Sequence, residues 1–264
     1  MNAVWTLIVL DMKRFWQDRI RLVSSLVQPL LYLFVLGSGL GASSQLGGDN
    51  YRRYIFPGVL ALTLLFSSTF AAITIVFDRQ IGFLKAVLVA PVPRWAIAAG
   101  RIGAGALQAV IQAGLLLVFA PLVGVRLGWL NVVEVIGAMA LAATAFSSIG
   151  VAVAARFSSP AVFPVVSNAL ILPMFFLSGA LYPLAVAPHW MKVAAHADPV
   201  AYGVDLLRRA LLGQAFFGAP LAIGALLVIT AVLLWLSVRV FARGEDTDIR
   251  MNSRAGLMFQ PRRR

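Results

Sequence analysis

Apolar blocks separated by short polar breaks set the pattern of this chain, at about 22–40, 54–77, 102–125, 132–155, 161–182 and 221–241. Roughly 20 apolar residues are enough for a helix to cross the hydrocarbon of a bilayer. The pattern therefore predicts an all-α integral membrane protein, with residues 22–243 forming one domain of six transmembrane helices. Residues 1–21 read differently. There Trp5, Ile8, Val9, Met12 and Trp16 recur at helical spacing, while Asp11, Lys13, Arg14 and Asp18 fall mostly elsewhere on the helix. Such a segment is expected to lie as an amphipathic interfacial helix on membrane lipid, with Trp at headgroup depth and basic residues near anionic headgroups.

Smaller signals refine the blocks. Pro29, after Gln28, removes a backbone donor inside the first span and predicts a kink. Gly100, Gly103 and Gly105 predict close packing at the start of the third span, and the Ser67-Ser68-Thr69 cluster reads as helix–helix packing. Pro164 and Pro173 predict a bent fifth span. Between spans five and six, Asp198-Pro199 is an N-cap and first-turn pair and Gly213 a stop, bounding a short helix. Val200, Val204, Leu207 and Leu211 give it an apolar face, and Asp205 can pair with Arg209 at i,i+4. It is too short and too charged to span, and is expected as an external interfacial or re-entrant helix. Residues 244–264 read as a mostly disordered cytoplasmic tail.

One break is unlike the others. From Phe77 to Trp95 the chain reads FDRQIGFLKAVLVAPVPRW, with Asp78, Arg79, Lys85 and Arg94 among apolar residues and Pro91 and Pro93 closing it. It cannot be a span, yet Ile81, Phe83, Leu84 and Leu88 offer an apolar ridge that a solvated loop would not need.

Composition narrows the function. Hydrophobic residues make up 61% and charged residues 12%, and the net charge is +12. Of the Lys and Arg residues, sixteen fall in the first segment and alternate loops and six on the other side, so the positive-inside rule puts both termini in the cytoplasm. The charge is thus explained without nucleic acid. There is no cysteine, hence no disulfide, thiol nucleophile or Cys-based metal site. Within the spans the one acidic residue is Glu134, in a first turn, so no ion relay is visible. No GxxxxGK[ST] loop is present. His189, His196 and Asp198 match no ligand signature, so no catalytic, cofactor-binding or metal residue is assigned. If the chain pumps, another polypeptide supplies the energy.

DRQIGFLKAVLVAPVPRW at 78–95, FLSGALYPL at 176–184 and DPVAYGVDLLRRALLG at 198–213 resemble the type-2 ABC exporter permeases of the daunorubicin-resistance kind, and the likeness covers nearly the whole chain. The resemblance implies a homodimer or heterodimer of six-span subunits in a prokaryotic inner membrane. Each would dock on a separate cytoplasmic ABC ATPase that holds ATP and magnesium, this chain being no enzyme. Asp78, Arg79, Gln80, Ile81, Gly82, Phe83, Leu84, Lys85 and Leu88 would belong to a cytoplasmic coupling helix between spans two and three. Gln80 departs from the family's frequent Glu. Asp198, Pro199, Tyr202, Asp205, Arg208 and Arg209 would mark the external helix. The implied cargo is hydrophobic and drug-like or lipid-like, as in multidrug efflux and antibiotic resistance. The alternatives are export of polysaccharide or lipid-linked glycan, an ion-coupled carrier, or a non-transporting scaffold. Tyr32, Phe66, Ser67, Phe70, Asn168, Met174 and Phe175, on spans one, two and five, are the candidate path lining.

Overall fold

Prolines and glycines place most of the breaks in the chain. The computed structural model describes residues 3–39, 48–81, 93–125, 128–157 and 159–258, and these contain no strand. Helix α1 (Ala3–Gln17) gives way at Asp18 to α2 (Arg19–Leu31), which continues as a π-helical turn, Tyr32–Leu36. Pro29, where a kink was predicted, lies inside α2, and the π-helical turn begins three residues later. Helix α3 (Gly48–Ala71) breaks at Ala72 and resumes as α4 (Ile73–Gln80). Beyond the polar stretch run α5 (Arg94–Leu117), α6 (Trp129–Arg156), α7 (Val162–Leu177), α8 (His189–Ala197), α9 (Pro199–Leu212) and α10 (Ala219–Met258).

Among the described residues four helical stretches are long and apolar enough to cross a membrane: Tyr51–Gln80, Trp95–Leu117, Trp129–Arg156 and Ala219–Arg239. The first and fifth predicted spans give shorter apolar helices, Ser24–Gly39 and Val162–Leu177. At 1.5 Å per residue the 16-residue α7 reaches roughly 24 Å, short of the roughly 30 Å of hydrocarbon. It stops before the predicted limit at 182 because Gly179 adopts a left-handed φ of 74°, open to glycine but strained for other residues, and turns the chain. Two further expectations change. Residues 189–197 form α8, a helix that was not predicted, ahead of the short helix that was, and the backbone of α10 remains helical to Met258, through most of the tail predicted as disordered.

The core joins α3, α5, α6 and α9, with Phe56, Leu60, Leu64, Leu116, Phe146 and Leu207 fully enclosed. Helices α6 and α3 approach closely at Gly150, where an added Cβ would sit 2.7 Å from the Thr69 backbone. Helix α9 is packed among α3, α6 and α10, and every residue from Val200 to Arg208 is buried. Its predicted apolar face is therefore in the core. Two of the third-span glycines pack against α1, Gly100 receiving Leu7 and Gly103 receiving Ile8, while Gly105 meets Ser147 of α6 and Ser68 of α3.

Helix α1 leaves its two tryptophans outward and turns one acidic residue inward. Asp11 on its polar stripe is buried against the bundle, whereas Trp5 and Trp16 are each 58% exposed. Its predicted apolar residues and Leu107 of α5 line an open surface groove. The physical reason is a charge waiting in α5.

Candidate functional site

That charge is Arg101, the centre of a buried ion cluster joining three elements. Its Nη1 donates to Asp11 Oδ1 at 2.7 Å and Oδ2 at 2.9 Å, and its Nη2 donates to Asp78 at the end of α4. Arg14 of α1 donates to the two Asp78 oxygens at 3.1 and 3.2 Å. Asp11, Asp78 and Arg101 are at most 4% exposed. A lone charge would be costly in such a place, but two cations against two carboxylates cancel, and charge-assisted bonds offset their desolvation. Thr74 of α4, 3.4 Å from Arg101 Nη1, and Gln108 of α5, donating to the Asp11 carbonyl at 3.4 Å, continue the polar contacts inward.

Arg79, the next residue, turns to the other side. Its guanidinium donates to the carbonyls of Phe157 at 3.4 Å and Ala155 at 3.3 Å, at the C-terminus of α6, where carbonyls lack intrahelical partners. Asp78 and Arg79 thus face the bundle, while Gln80 is exposed and Ile81 is 73% exposed. Gly82, Phe83, Leu84, Lys85 and Leu88 lie outside the described residues.

At α9 the charged groups meet backbone. Asp198 Oδ1 accepts from Val200 N at 2.9 Å, the predicted N-cap ahead of Pro199, while its Oδ2 has no partner. Burial pushes the Asp198 carboxyl up to about 7, against the single N–H that lowers it. Asp205 accepts from the amides of Phe216 at 2.6 Å and Phe217 at 3.0 Å, so the predicted pairing with Arg209 is not made and Arg209 is exposed. Arg208 donates to the Gly179 carbonyl at 2.9 Å and lies 4.3 Å over the Tyr54 ring. The Tyr202 hydroxyl donates to the His196 carbonyl at 2.7 Å, and the His196 ring stands edge-on to Phe217. Among the described residues no group of His, Asp and Glu is arranged to hold a metal.

The candidate lining residues divide. Phe66, Ser67 and Phe70 border a cavity of about 160 Å³ between α2, α3 and α5, with Phe15 of α1 also on its wall. Tyr32 and Met174 are half-buried against the core, Phe175 is buried within it, and Asn168 is half-buried on α7. Sequence reasoning missed Asp11 and Arg101 as a pair and Gln108 and Gln112 as cavity residues. The available signal was the occurrence of charged and amide side chains in otherwise apolar helices, which are rarely left without a task.

Comparison with known proteins bears on the whole arrangement. Residues 2–212 match the family described as ABC-2 type transporter. Nodulation protein J of Rhizobium leguminosarum bv. trifolii is 30% identical over 225 residues, covering 84% of this chain and 86% of the relative. Nodulation protein J of Rhizobium meliloti is also 30% identical over 225 residues with the same coverage. A chain of Cyanophora paradoxa named as a candidate transport permease, ycf38, is 27% identical over 195 residues, 72% of this chain and 67% of that one. With its bundle of apolar helices and a match running from α1 through α9, the chain belongs to the ABC-2 type transporter family, as a membrane permease.

Proposed function

We propose that this permease is the membrane subunit of an ATP-driven exporter, moving hydrophobic drug-like or lipid-like molecules out of the cytoplasm or inner leaflet of a prokaryotic plasma membrane. Two copies, identical in the simplest case, enclose the path, and a separate cytoplasmic ABC ATPase binds ATP and magnesium. The supporting observation is the bracing of the polar stretch after α4. Asp78 ties it to α1 and α5, and Arg79 ties it to α6, so force applied beyond Gln80 reaches three helices at once. On this reading Asp78 and Arg79 brace the lever, and the surface from Gln80 through Phe83, Leu84 and Lys85 to Leu88 meets the ATPase, with Lys85 as the steering cation. Six spans leave both termini in the cytoplasm.

Inside-out vesicles holding the permease with its co-purified ATPase are expected to accumulate a lipophilic fluorescent dye on addition of ATP, with or without ionophores. Uptake that survives removal of the ATPase, or that collapses with an ionophore, overturns the reading. Because the chain has no cysteine, orientation is tested with single thiols. Val186→Cys should label from outside intact cells and Ala86→Cys only after permeabilisation; labelling of the latter in intact cells reverses the scheme.

A further inference from the structure

Asp198 is the joint between two helices that are held unequally. It ends α8, donating its N–H to the Ala195 carbonyl at 3.2 Å, and it begins α9 as the N-cap, with an extended backbone of φ −94° and ψ 114°. On one side of the joint, α9 is built into the core and Pro199 fixes its first turn. On the other side, the buried residue of α8 is Ala195, while Trp190 and Val193 are more than half exposed. What fastens α8 lies near the joint: the Tyr202 hydroxyl donates to the His196 carbonyl at 2.7 Å, and the His196 ring meets Phe217 edge-on.

The Asp198 carboxyl is 6% exposed, and among the described residues its Oδ2 has no partner. A buried carboxylate is stable only with several donors or a cation, whereas the neutral acid costs far less to bury. Val200 N supplies one donor, to Oδ1. Neither nearby cation is turned to the carboxyl, since Lys192 of α8 donates to the Ala185 carbonyl at 2.7 Å and Arg208 of α9 to that of Gly179. The ionisable groups that its charge reaches are Tyr182, from the chain between α7 and α8, and Tyr202 of α9. Both are phenols, neutral below about pH 9.

We infer that Asp198 is the latch of a pH-sensitive flap: α8 lies closed on α9 while the carboxyl holds its proton, and swings out about Asp198 when the proton leaves. Opening lets water reach Oδ2 and supplies the donors that the closed site lacks. α8 is the part that moves, because every residue from Val200 to Arg208 is buried in the bundle. The closed carboxyl is pushed up to about 7 by burial, against 3.8 for a hydrated one. Between those values opening releases a proton, so the open fraction rises by up to about tenfold per pH unit and levels off above about 7. Acid therefore closes the flap.

The inference depends on neither cargo nor ATPase, and the proposed topology enters only in naming the external side as the one whose pH the flap follows. Amide hydrogen exchange of the full-length chain in nanodiscs, read by mass spectrometry on peptides from 189–198 and 200–212, tests it. Protection is taken relative to the intrinsic exchange rate at each pH. In the parent, protection of 189–198 should fall tenfold or more between pH 5 and pH 7.5, while that of 200–212 stays within about twofold. In Asp198→Asn, protection of 189–198 should stay within about twofold across the range, near the parent's level at pH 5. Asp198→Ser also keeps a capping oxygen without a titrating group, and should behave alike if the Asn variant folds poorly. Four results overturn the assignment: protection of 189–198 that does not change with pH in the parent, a fall that persists in the non-titrating variant, protection that rises with pH, as a titrating His196 would give, or a matching fall in 200–212.

Discussion

Two regions of this permease bury charged side chains, and they do so in opposite ways. Around Arg101 the charges meet one another, so that their side chains join α1, α4 and α5. Around α9 each charge meets backbone: Asp198 caps a helix, Asp205 takes two loop amides and Arg208 takes the carbonyl of Gly179. The first arrangement joins elements far apart in sequence. The second holds irregular chain in one shape, since buried turns expose N–H and C=O groups that must find partners. One suits transmission and the other suits a fixed end.

Removing a partner should expose the difference most strongly at Arg101. Arg101→Met leaves Asp11 and Asp78 buried with Arg14 as the remaining cation, and breaking a buried ion pair costs about 3–5 kcal/mol. A fall in Tm on the order of 10 °C is expected in nanodiscs. Arg208→Met breaks one bond to a carbonyl and one ring contact, for a loss of about 1–3 kcal/mol. Equal losses at the two positions would erase the distinction between the regions.

Asp198 sharpens the comparison because it is a buried carboxyl with no cation bonded to it. Its folded value of about 7 stands above the ordinary 3.8. Between those values the unfolded chain gives up its proton and the folded chain keeps it, so the site loses stability as pH rises from about 4 and levels off above about 7. Asp198→Asn retains an oxygen for Val200 N and removes the titration. The variant should melt with the parent at pH 4 and above it at pH 8, by roughly 2–4 kcal/mol of stability. A constant difference across that range would show that the carboxyl is ionised throughout.

Sequence made the helices far more legible than the contacts between their polar faces. Four of the apolar blocks, the Asp198-Pro199 cap and the Gly100 and Gly103 packing positions all act locally, and each appears close to where the pattern put it. The burial of Asp11 was hidden because a helical wheel sends it toward water by default, while its partner lies 90 residues away. Asp205 was misassigned for a related reason. An i,i+4 pair is visible in sequence, but two backbone amides at Phe216 and Phe217, presented by a turn after Gly213, are a stronger draw than one exposed Arg209. Gln112 is legible only as an amide in an apolar helix, and its place on a cavity wall with Phe66 and Phe70 arises because α2, α3 and α5 come together.

The finest distinction is one of coupling. Asp78→Asn and Arg14→Gln, made singly and together, should show an interaction of about 1 kcal/mol, because the two side chains touch directly and share Asp78 with Arg101. Asp205→Asn and Arg208→Gln should show a smaller interaction, since each side chain is bonded to a different stretch of backbone and the two meet only through their charges. The same cycles read by ATP-driven uptake carry the contrast into function. If the inner cluster passes motion from the stretch beyond Gln80 into α1 and α5, then Asp78→Asn lowers uptake per ATP hydrolysed, whereas Asp205→Asn changes the melting temperature and leaves that ratio alone. A ratio that falls equally for both would mean that the α9 region moves with the cycle, and that its backbone bonds are part of the moving machinery.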